Sequence, residues 1–257
     1  MSSLPVTDAH NHLQDSRFDG IREQVIREMT QSGVTRCVVN GTCPADWPQV
    51  AALARHHPEL IIPSFGLHPW KKPTPDWLHQ LTHYLDTVPH ACIGECGLDR
   101  WIEGYNIERQ TTIFTAQLDL AADRNLPISI HCLKAWGHLV DLLESRPLPD
   151  RGFLLHSYGG SADLVPRLAK LGAYFSFSGY FLHERKKNVR DAFKVVPRDR
   201  LLLETDAPDM LPPPSAIHHP LTGEINHPAN LRSIFQSASL RVETVTIDEN
   251  FHRFFID

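Results

Sequence analysis

The chain has 257 residues, of which 42% are apolar and 21% are charged, and this balance excludes a disordered or collagen-like polymer. The net charge of −5 gives no general attraction to a phosphate backbone, unlike the surface of a strongly basic nucleic-acid-binding protein. The sequence has neither the apolar run of about 18 residues that a spanning helix requires nor the pattern of a signal peptide, so we expect a cytoplasmic protein.

Short aliphatic or β-branched runs alternate along the chain with longer segments of helical periodicity, a pattern typical of βα units and a parallel sheet. The helical spacing is clear, for example, at Ile21, Val25 and Met29. The predicted strands are Val6–Asp8, Cys37–Asn40, Ile61–Gly66, Ala91–Glu95, Pro127–His131, Phe153–His156, Ala173–Ser178 and Leu201–Thr205. Eight alternations in this length predict an α/β fold, a single-domain (β/α)8 TIM barrel over residues 1–257.

One long irregular segment follows the last predicted strand and runs from Ala207 to Pro228. It is rich in proline, and loops of this length in compact domains are usually functional or disordered. We expect it to lie over the mouth of the barrel.

Side chains that bind metal ions follow five of the predicted strands. The first strand ends in Asp8-Ala-His10-Asn-His12, and because alternate strand residues share a face, all three polar side chains are expected to point inward. The ends of the fourth, fifth, sixth and eighth strands supply Glu95, His131, His156 and Asp206. TIM barrels carry their active sites at the C-terminal ends of the strands, so these side chains are predicted to converge there.

The number of ligands predicts the number of metal ions. His10, His12, Glu95, His131, His156 and Asp206 make six, whereas one catalytic zinc ion takes three ligands from the protein. We therefore expect two divalent ions (Mg, Mn or Zn) with Glu95 bridging them. Such a pair generates hydroxide and stabilises both oxygens of a phosphoryl transfer. Glu95 and Asp206 are the predicted catalytic residues; Asp206 either accepts a proton from the attacking water or serves only as a ligand.

Six motifs occur in an order and spacing that resemble a known family. They are Asp8-Ala-His-Asn-His12-Leu, Gly66-Leu-His68-Pro69, Gly94-Glu-Cys-Gly-Leu-Asp99, Ile130-His131, His156-Ser-Tyr-Gly-Gly-Ser161 and Glu204-Thr-Asp206-Ala-Pro208. The chain resembles, from Asp8 to Phe254, the TatD-type metal-dependent deoxyribonucleases, a branch of the amidohydrolase-like hydrolases. The resemblance implies a TIM barrel, a two-metal centre and hydrolysis of phosphodiester bonds in DNA.

The resemblance also implies how the ligands are shared. One ion would be held by His10, His12, Glu95 and Asp206, and the other by Glu95, His131 and His156. His68 would lie beside the substrate phosphate, and Trp70 and Asn226 are assigned to substrate binding because their loops should frame the substrate.

Three segments depart from the family pattern and affect the expected substrate. Ser157-Tyr-Gly-Gly160 stands where Cys-Phe-Ser-Gly is usual, Trp70 stands where a second histidine is common, and Ile225-Asn-His-Pro228 replaces Arg-Asn-Glu-Pro. The expected substrate is DNA or a small phosphodiester. The alternatives are a deacylase or lactonase, because the same centre polarises a carbonyl, and a metal-bearing barrel within a larger assembly. The sequence indicates no particular protein partner.

Nucleic-acid contacts would have to be local, because the overall charge is negative. The candidate basic contacts are Lys71, Lys72 and the run Arg185-Lys-Lys187. Trp70, Trp101 or Tyr180 could stack on a base.

Overall fold

Eight parallel strands form one sheet in the order of the sequence, in a computed structural model that describes residues 5–240 and 242–257. The strands are β1 (Val6–Asn11), β2 (Val34–Asn40), β3 (Ile61–Phe65), β4 (Cys92–Asp99), β5 (Ile128–Leu133), β6 (Phe153–Leu155), β7 (Ala173–Ser178) and β8 (Leu201–Glu204). Every neighbouring pair is parallel, so all the C-terminal strand ends face the same side.

Helices follow the strands and form the outer layer, as the alternating pattern predicts. They are α1 (Arg22–Gln31), α2 (Trp47–His56), α3 (Trp77–Thr87), α4 (Ile107–Arg124), α5 (Trp136–Ser145), α6 (Val165–Lys170), α7 (Lys187–Phe193), α8 (Leu231–Ala238) and α9 (Thr244–Phe255). Within the described ranges, none of the helices combines the length and apolar character needed to cross a membrane.

Backbone hydrogen bonds join the end of β1 to the residues that follow β8. The Asp206 N–H donates to the His10 carbonyl at 2.9 Å, and the His12 N–H donates to the Ala207 carbonyl at 2.7 Å. Closure of the sheet therefore places Asp206 directly beside the two histidines of β1. The (β/α)8 barrel predicted from the sequence is confirmed.

All eight predicted strands are present, but several of their ends differ from the prediction. β1 continues through Asn11 and β4 continues through Asp99, whereas β6 ends at Leu155, before His156. The longer β4 places Glu95 inside the strand rather than at its end. Strand ends are set by pairing with neighbours such as β5, which opposes Asp99 with Leu133, and local composition does not report that pairing.

The N-terminal end of the barrel, opposite the C-terminal strand ends, is filled by an apolar cluster. Its members come from seven strands and α9: Ala9, Val38, Ile62, Cys92, Leu154, Tyr174, Leu202, Phe251, Phe254 and Phe255. Side chains that so many strands contribute to one cluster lie inside the barrel, and the α9 phenylalanines close its N-terminal end.

Candidate active site

The Glu95 carboxylate lies among five imidazole rings, and its two oxygens face different sets. Oε2 is 3.6 Å from Nε2 of His10 and 3.3 Å from Nε2 of His12. Asp206 completes this side, since its Oδ1 lies 3.8 Å from His10 Nε2 and 3.5 Å from His12 Nε2. Two imidazoles and the Asp206 carboxylate therefore converge on the Oε2 side of Glu95.

The other Glu95 oxygen, Oε1, faces the remaining three rings. It lies 3.2 Å from Nε2 of His68, 3.0 Å from Nδ1 of His131 and 2.8 Å from Nε2 of His156. The rings of His156 and His10 stack at a centroid distance of 4.0 Å and join the two sides. The structure thus brings together all six side chains predicted as ligands, together with His68.

A glycine allows β4 and β5 to approach at the site. Gly97 has φ of +144°, and a Cβ at this position would lie 2.0 Å from the carbonyl oxygen of His131. Only glycine fits there, because any side chain would push β5 away and take His131 from Glu95. Gly97 therefore positions this ligand pair.

Hydrogen bonds set which ring nitrogens of two histidines are free to bind a cation. The Nδ1–H of His12 donates to the Asn40 carbonyl at 2.7 Å, and the Nε2–H of His131 donates to Oδ2 of Asp99 at 2.8 Å. The lone pairs therefore lie on His12 Nε2 and His131 Nδ1, the atoms that face Glu95. Such orientation by a second hydrogen bond is typical of metal-binding histidines.

His68 has the opposite arrangement. Its Nδ1 accepts a hydrogen bond from the Trp70 backbone N–H at 3.2 Å, so the ring proton lies on Nε2. Nε2 points at Glu95 Oε1 as a hydrogen-bond donor. This geometry matches a contact to an anionic group better than a metal ligand.

The charges of the buried cluster are strongly coupled. Burial alone raises the pKa of Glu95, but the neighbouring His68 and His156 hold that pKa well below its ordinary range. Burial alone lowers the pKa of His12, but the adjacent carboxylates of Asp206 and Glu95 raise it well above its ordinary value. The site therefore favours an ionised Glu95 and holds protons on some of its imidazoles, and a bound cation would take the place of those protons.

The donor set fits a divalent cation. Among residues 5–240 and 242–257, neither ring nitrogen of the fully buried His10 has a hydrogen-bond partner. Two groups of donor atoms each lie within 4.8 Å of one another: His10, His156 and Glu204, and His10, His12 and Glu95. A third such group, His68, Glu95 and His131, includes the protonated Nε2 of His68, which is not a donor to a cation. Buried imidazole and carboxylate donors in this arrangement are suited to ions such as Zn²⁺ or Mn²⁺.

Sequence reasoning gave no role to two buried carboxylates behind the histidines. Asp99 bonds His131, and Glu204 accepts hydrogen bonds from the hydroxyls of Ser157 and Ser176. Glu204 Oε1 also lies 3.7 Å from Nδ1 of His156. The signal was their place at strand ends within the ligand motifs, four residues after Glu95 and two before Asp206.

Asp8 does not join the cluster, contrary to the expectation that it points inward with His10. Its carboxylate accepts hydrogen bonds from the N–H and hydroxyl of Thr205, at 2.9 and 2.6 Å, and from the Asn11 amide at 3.2 Å. The register shift between Asp8 and Asn11 breaks the simple alternation of β1. Asp8 therefore ties β1 to the end of β8, and burial raises its pKa to about 7.

Asn226 is also placed differently from the prediction. It is fully buried, its amide donates to the Thr205 carbonyl at 2.9 Å, and its backbone N–H donates to the Pro208 carbonyl at 2.9 Å. A side chain with no accessible surface cannot contact substrate directly. Asn226 instead joins the C-terminal part of the Ala207–Pro228 loop to the residues around Asp206 by these two hydrogen bonds.

Trp70 lies at the rim of the cluster. Its indole N–H donates to Asp99 Oδ2 at 2.9 Å, and its ring centroid is 5.0 Å from that of His68. The side chain is accessible from solvent, so the predicted role in substrate binding is open to it.

Comparison with known proteins places this site in a family. The sequence matches the TatD related DNase family over residues 7–255. It is 33% identical over 258 residues to the 3'-5' ssDNA/RNA exonuclease TatD of Dickeya dadantii, with 95% of each chain covered. It is 32% identical to the exonuclease of the same name from Erwinia tasmaniensis, with 81% of this chain and 84% of that protein covered.

A solved structure gives the same result. YjjV, a TatD homologue from Escherichia coli K12, matches with a TM-score of 0.88 and 28% identity over 97% of both chains. The family, fold and enzyme class predicted from the sequence are confirmed by these matches. The chain belongs to the TatD related DNase family.

Proposed function

We propose that this chain is a metal-dependent exonuclease that removes nucleotides from the 3' end of single-stranded DNA or RNA. The observation that carries the proposal is the division of the imidazoles between the two oxygens of Glu95. The TatD exonucleases of Dickeya dadantii and Erwinia tasmaniensis, which match over most of this chain, support the choice of substrate.

The same geometry supports two divalent ions, Mg, Mn or Zn, rather than one. The first would be held by His10, His12 and Asp206, the second by His131 and His156, and Glu95 would contribute to both. Bound divalent ions lower the pKa of water and stabilise negative charge on a phosphoryl group.

Two further side chains act on the substrate and the nucleophile. His68 directs its Nε2–H into the site and would donate to a non-bridging oxygen of the scissile phosphate. Asp206 lies next to the strand end and keeps some exposed surface, so it would accept the proton of the attacking water. Asn226 supports Asp206 indirectly through the Thr205 carbonyl.

Cleavage of labelled oligonucleotides by the purified chain tests the proposal. A single-stranded oligonucleotide labelled at its 5' end should be shortened stepwise from the 3' end, and a 3' label should be released as a mononucleotide. A chelator should abolish the cleavage, and added Mn²⁺ or Mg²⁺ should restore it. Full activity of a Glu95→Ala, His131→Ala variant would contradict the proposal, and robust ester or lactone turnover without oligonucleotide cleavage would favour the deacylase alternative.

A further inference from the structure

The exposed aromatic side chains of the described residues lie in the loops that follow β3 and β4. Trp70 is 46% exposed, Trp101 is 59% exposed and Tyr105 is 45% exposed. The rings of Trp70 and Trp101 lie side by side, with centroids 6.4 Å apart and planes inclined by 34°. Exposed apolar rings that lie together are typical of interaction sites.

The tryptophan pair begins at the edge of the candidate active site. The Trp70 ring centroid is 5.0 Å from that of His68 and 6.2 Å from that of His131. A nucleobase is joined to its phosphate through a single sugar. A base that stacks on this pair would therefore leave an adjoining phosphate within reach of the His68 Nε2–H.

One buried carboxylate holds both tryptophans in place. Asp99 Oδ2 accepts the indole N–H of Trp70 at 2.9 Å, and Asp99 Oδ1 accepts the backbone N–H of Trp101 at 2.6 Å. The same carboxylate orients His131. The loops are thus fixed relative to the site before substrate arrives, which reduces the entropic cost of binding.

The other aromatic candidate, Tyr180, is less suited to stack on a base. The Arg185 guanidinium lies 5.3 Å from the centre of its ring, and the Lys186 ammonium lies 4.9 Å from it. These cations already cover the π-surface that a base would need. Trp70 and Trp101 keep theirs accessible.

We propose that Trp70 and Trp101 form a stacking subsite for one nucleobase near the 3' end of the substrate strand. This inference rests on the proposed exonuclease function. Stacking on an indole tolerates all bases because each has a π-face, so the subsite binds single strands without sequence preference. Internal base pairs of a duplex are already stacked on both faces, so a subsite that takes a base near the end favours single-stranded or frayed ends.

Trp101→Ala tests stacking without changing the metal-binding side chains. Trp101 contributes only its backbone N–H to Asp99, and that bond survives the substitution. The substrates are an oligothymidylate and three versions with one abasic residue at the last, second-last or third-last 3' position. Leu78→Ala, which removes an exposed apolar side chain of α3, is the matched control.

We expect Trp101→Ala to raise KM for the intact oligonucleotide roughly 10-fold, the scale of one base–aromatic stack, with kcat little changed. The wild-type KM for one of the abasic substrates should be higher by a similar factor. For that substrate, Trp101→Ala should raise KM no further. Trp101→Phe should restore most of the affinity. Equilibrium binding to a fluorescent oligonucleotide without added metal should show the same pattern.

The outcomes separate this inference from the proposed function. If the wild type cleaves none of the oligonucleotides, the proposed function fails. Alternatively, the wild type cleaves them while Trp101→Ala and Leu78→Ala have the same KM, or while Trp101→Ala raises KM equally on intact and abasic substrates. Either result would contradict the stacking subsite and leave the proposed exonuclease function intact.

Discussion

Asp99 and His131 form a hydrogen bond of 2.8 Å between Oδ2 and Nε2, at the back of the candidate metal site. The bond leaves Nδ1 of His131 as the atom that faces Glu95, 3.0 Å away. Burial raises the pKa of Asp99, but the His131 ring outweighs burial and the pKa is about 2. Asp99 is therefore an ionised carboxylate that positions a ligand rather than a ligand itself.

Replacement of Asp99 by asparagine should weaken metal binding at the His131 side. The amide can present its N–H₂ to the ring and so disfavour the required tautomer, and loss of such a supporting carboxylate typically costs about 10- to 100-fold in affinity. Calorimetric titration with Mn²⁺ measures the loss, and activity should return at high metal concentration. Trp70→Phe, which removes only the indole hydrogen bond to Asp99, is the control. Equal metal affinity in Asp99→Asn and wild type would contradict the role of Asp99 in positioning His131.

Replacement of Glu95 by glutamine should weaken both metal sites. Each carboxylate oxygen faces its own set of histidines, and a neutral amide offers one oxygen and one N–H₂ group in their place. We expect the metal content to fall from about two ions per chain to one or none, and kcat to fall at least about 100-fold, as for the loss of a key transition-state contact. Elemental analysis of the purified variant measures the metal. Retention of two ions would show that Glu95 does not bridge them.

The sequence could predict the barrel and the convergence of the candidate ligands because both depend on local pattern. His131 lies in β5 directly after Ile128-Ser-Ile130, and His156 immediately follows β6. The parallel sheet brings the C-terminal ends of all strands to one side, whatever the loops between them. No long-range contact has to be known to place them.

The misplaced residues depend on partners that are distant in the chain. Asp8 bonds Thr205 across 197 positions, and this contact exists only because the barrel closes between β1 and β8. Asn226 lies in a loop with no periodicity to show that its side chain turns inward to Thr205. Neither strand alternation nor position in a loop predicts contacts that form only when the barrel closes.

Replacement of Asn226 by alanine should act on stability and on the geometry of Asp206. The change leaves the Thr205 carbonyl without its donor in a buried position, at a cost of about 1–3 kcal/mol in the free energy of unfolding. Urea denaturation measures this cost, and Thr222→Ala, an exposed change in the same loop, is the control. Should Asn226→Ala instead keep full stability and raise only KM, direct substrate contact would be the better assignment.

Lys71 and Lys72 should provide local attraction for the nucleic-acid backbone. Both are exposed, and the Lys71 N–H donates to the His68 carbonyl at 2.9 Å, so they follow the proposed phosphate contact directly. Reversing both charges to glutamate should raise KM several-fold at low salt and reduce the slope of log KM against log salt by about 1. Lys187→Glu, at a side chain that pairs with Asp191, should leave the slope unchanged. If the salt dependence of KM changes in Lys187→Glu and not in the Lys71, Lys72 variant, the nucleic-acid strand would instead pass near α7.

His227 should make the folded state less stable in mild acid. Its Nδ1 accepts the Ala229 N–H at 2.9 Å and its Nε2–H donates to Glu28 at 2.9 Å, so protonation of Nδ1 would break a buried hydrogen bond. Burial lowers the pKa of His227 below the ordinary 6.5, although Glu28 opposes this, and the second ring nearby, His219, lowers it further. The unfolded chain therefore binds the proton more readily, and the free energy of unfolding decreases as the pH falls through about 6.5.

Between pH 7 and pH 5, His227 can lower the free energy of unfolding by at most about 2 kcal/mol. This is the value for a ring that stays neutral in the folded state while the same ring takes up a proton in the unfolded chain. His227→Asn cannot titrate, so its deficit in stability relative to the wild type should shrink over that interval. Chemical denaturation at pH 7, 6 and 5 measures the effect, with the exposed His79→Asn as control. Parallel losses in wild type and His227→Asn would mean that the ring takes up its proton in the folded state and that the Glu28 pairing outweighs burial.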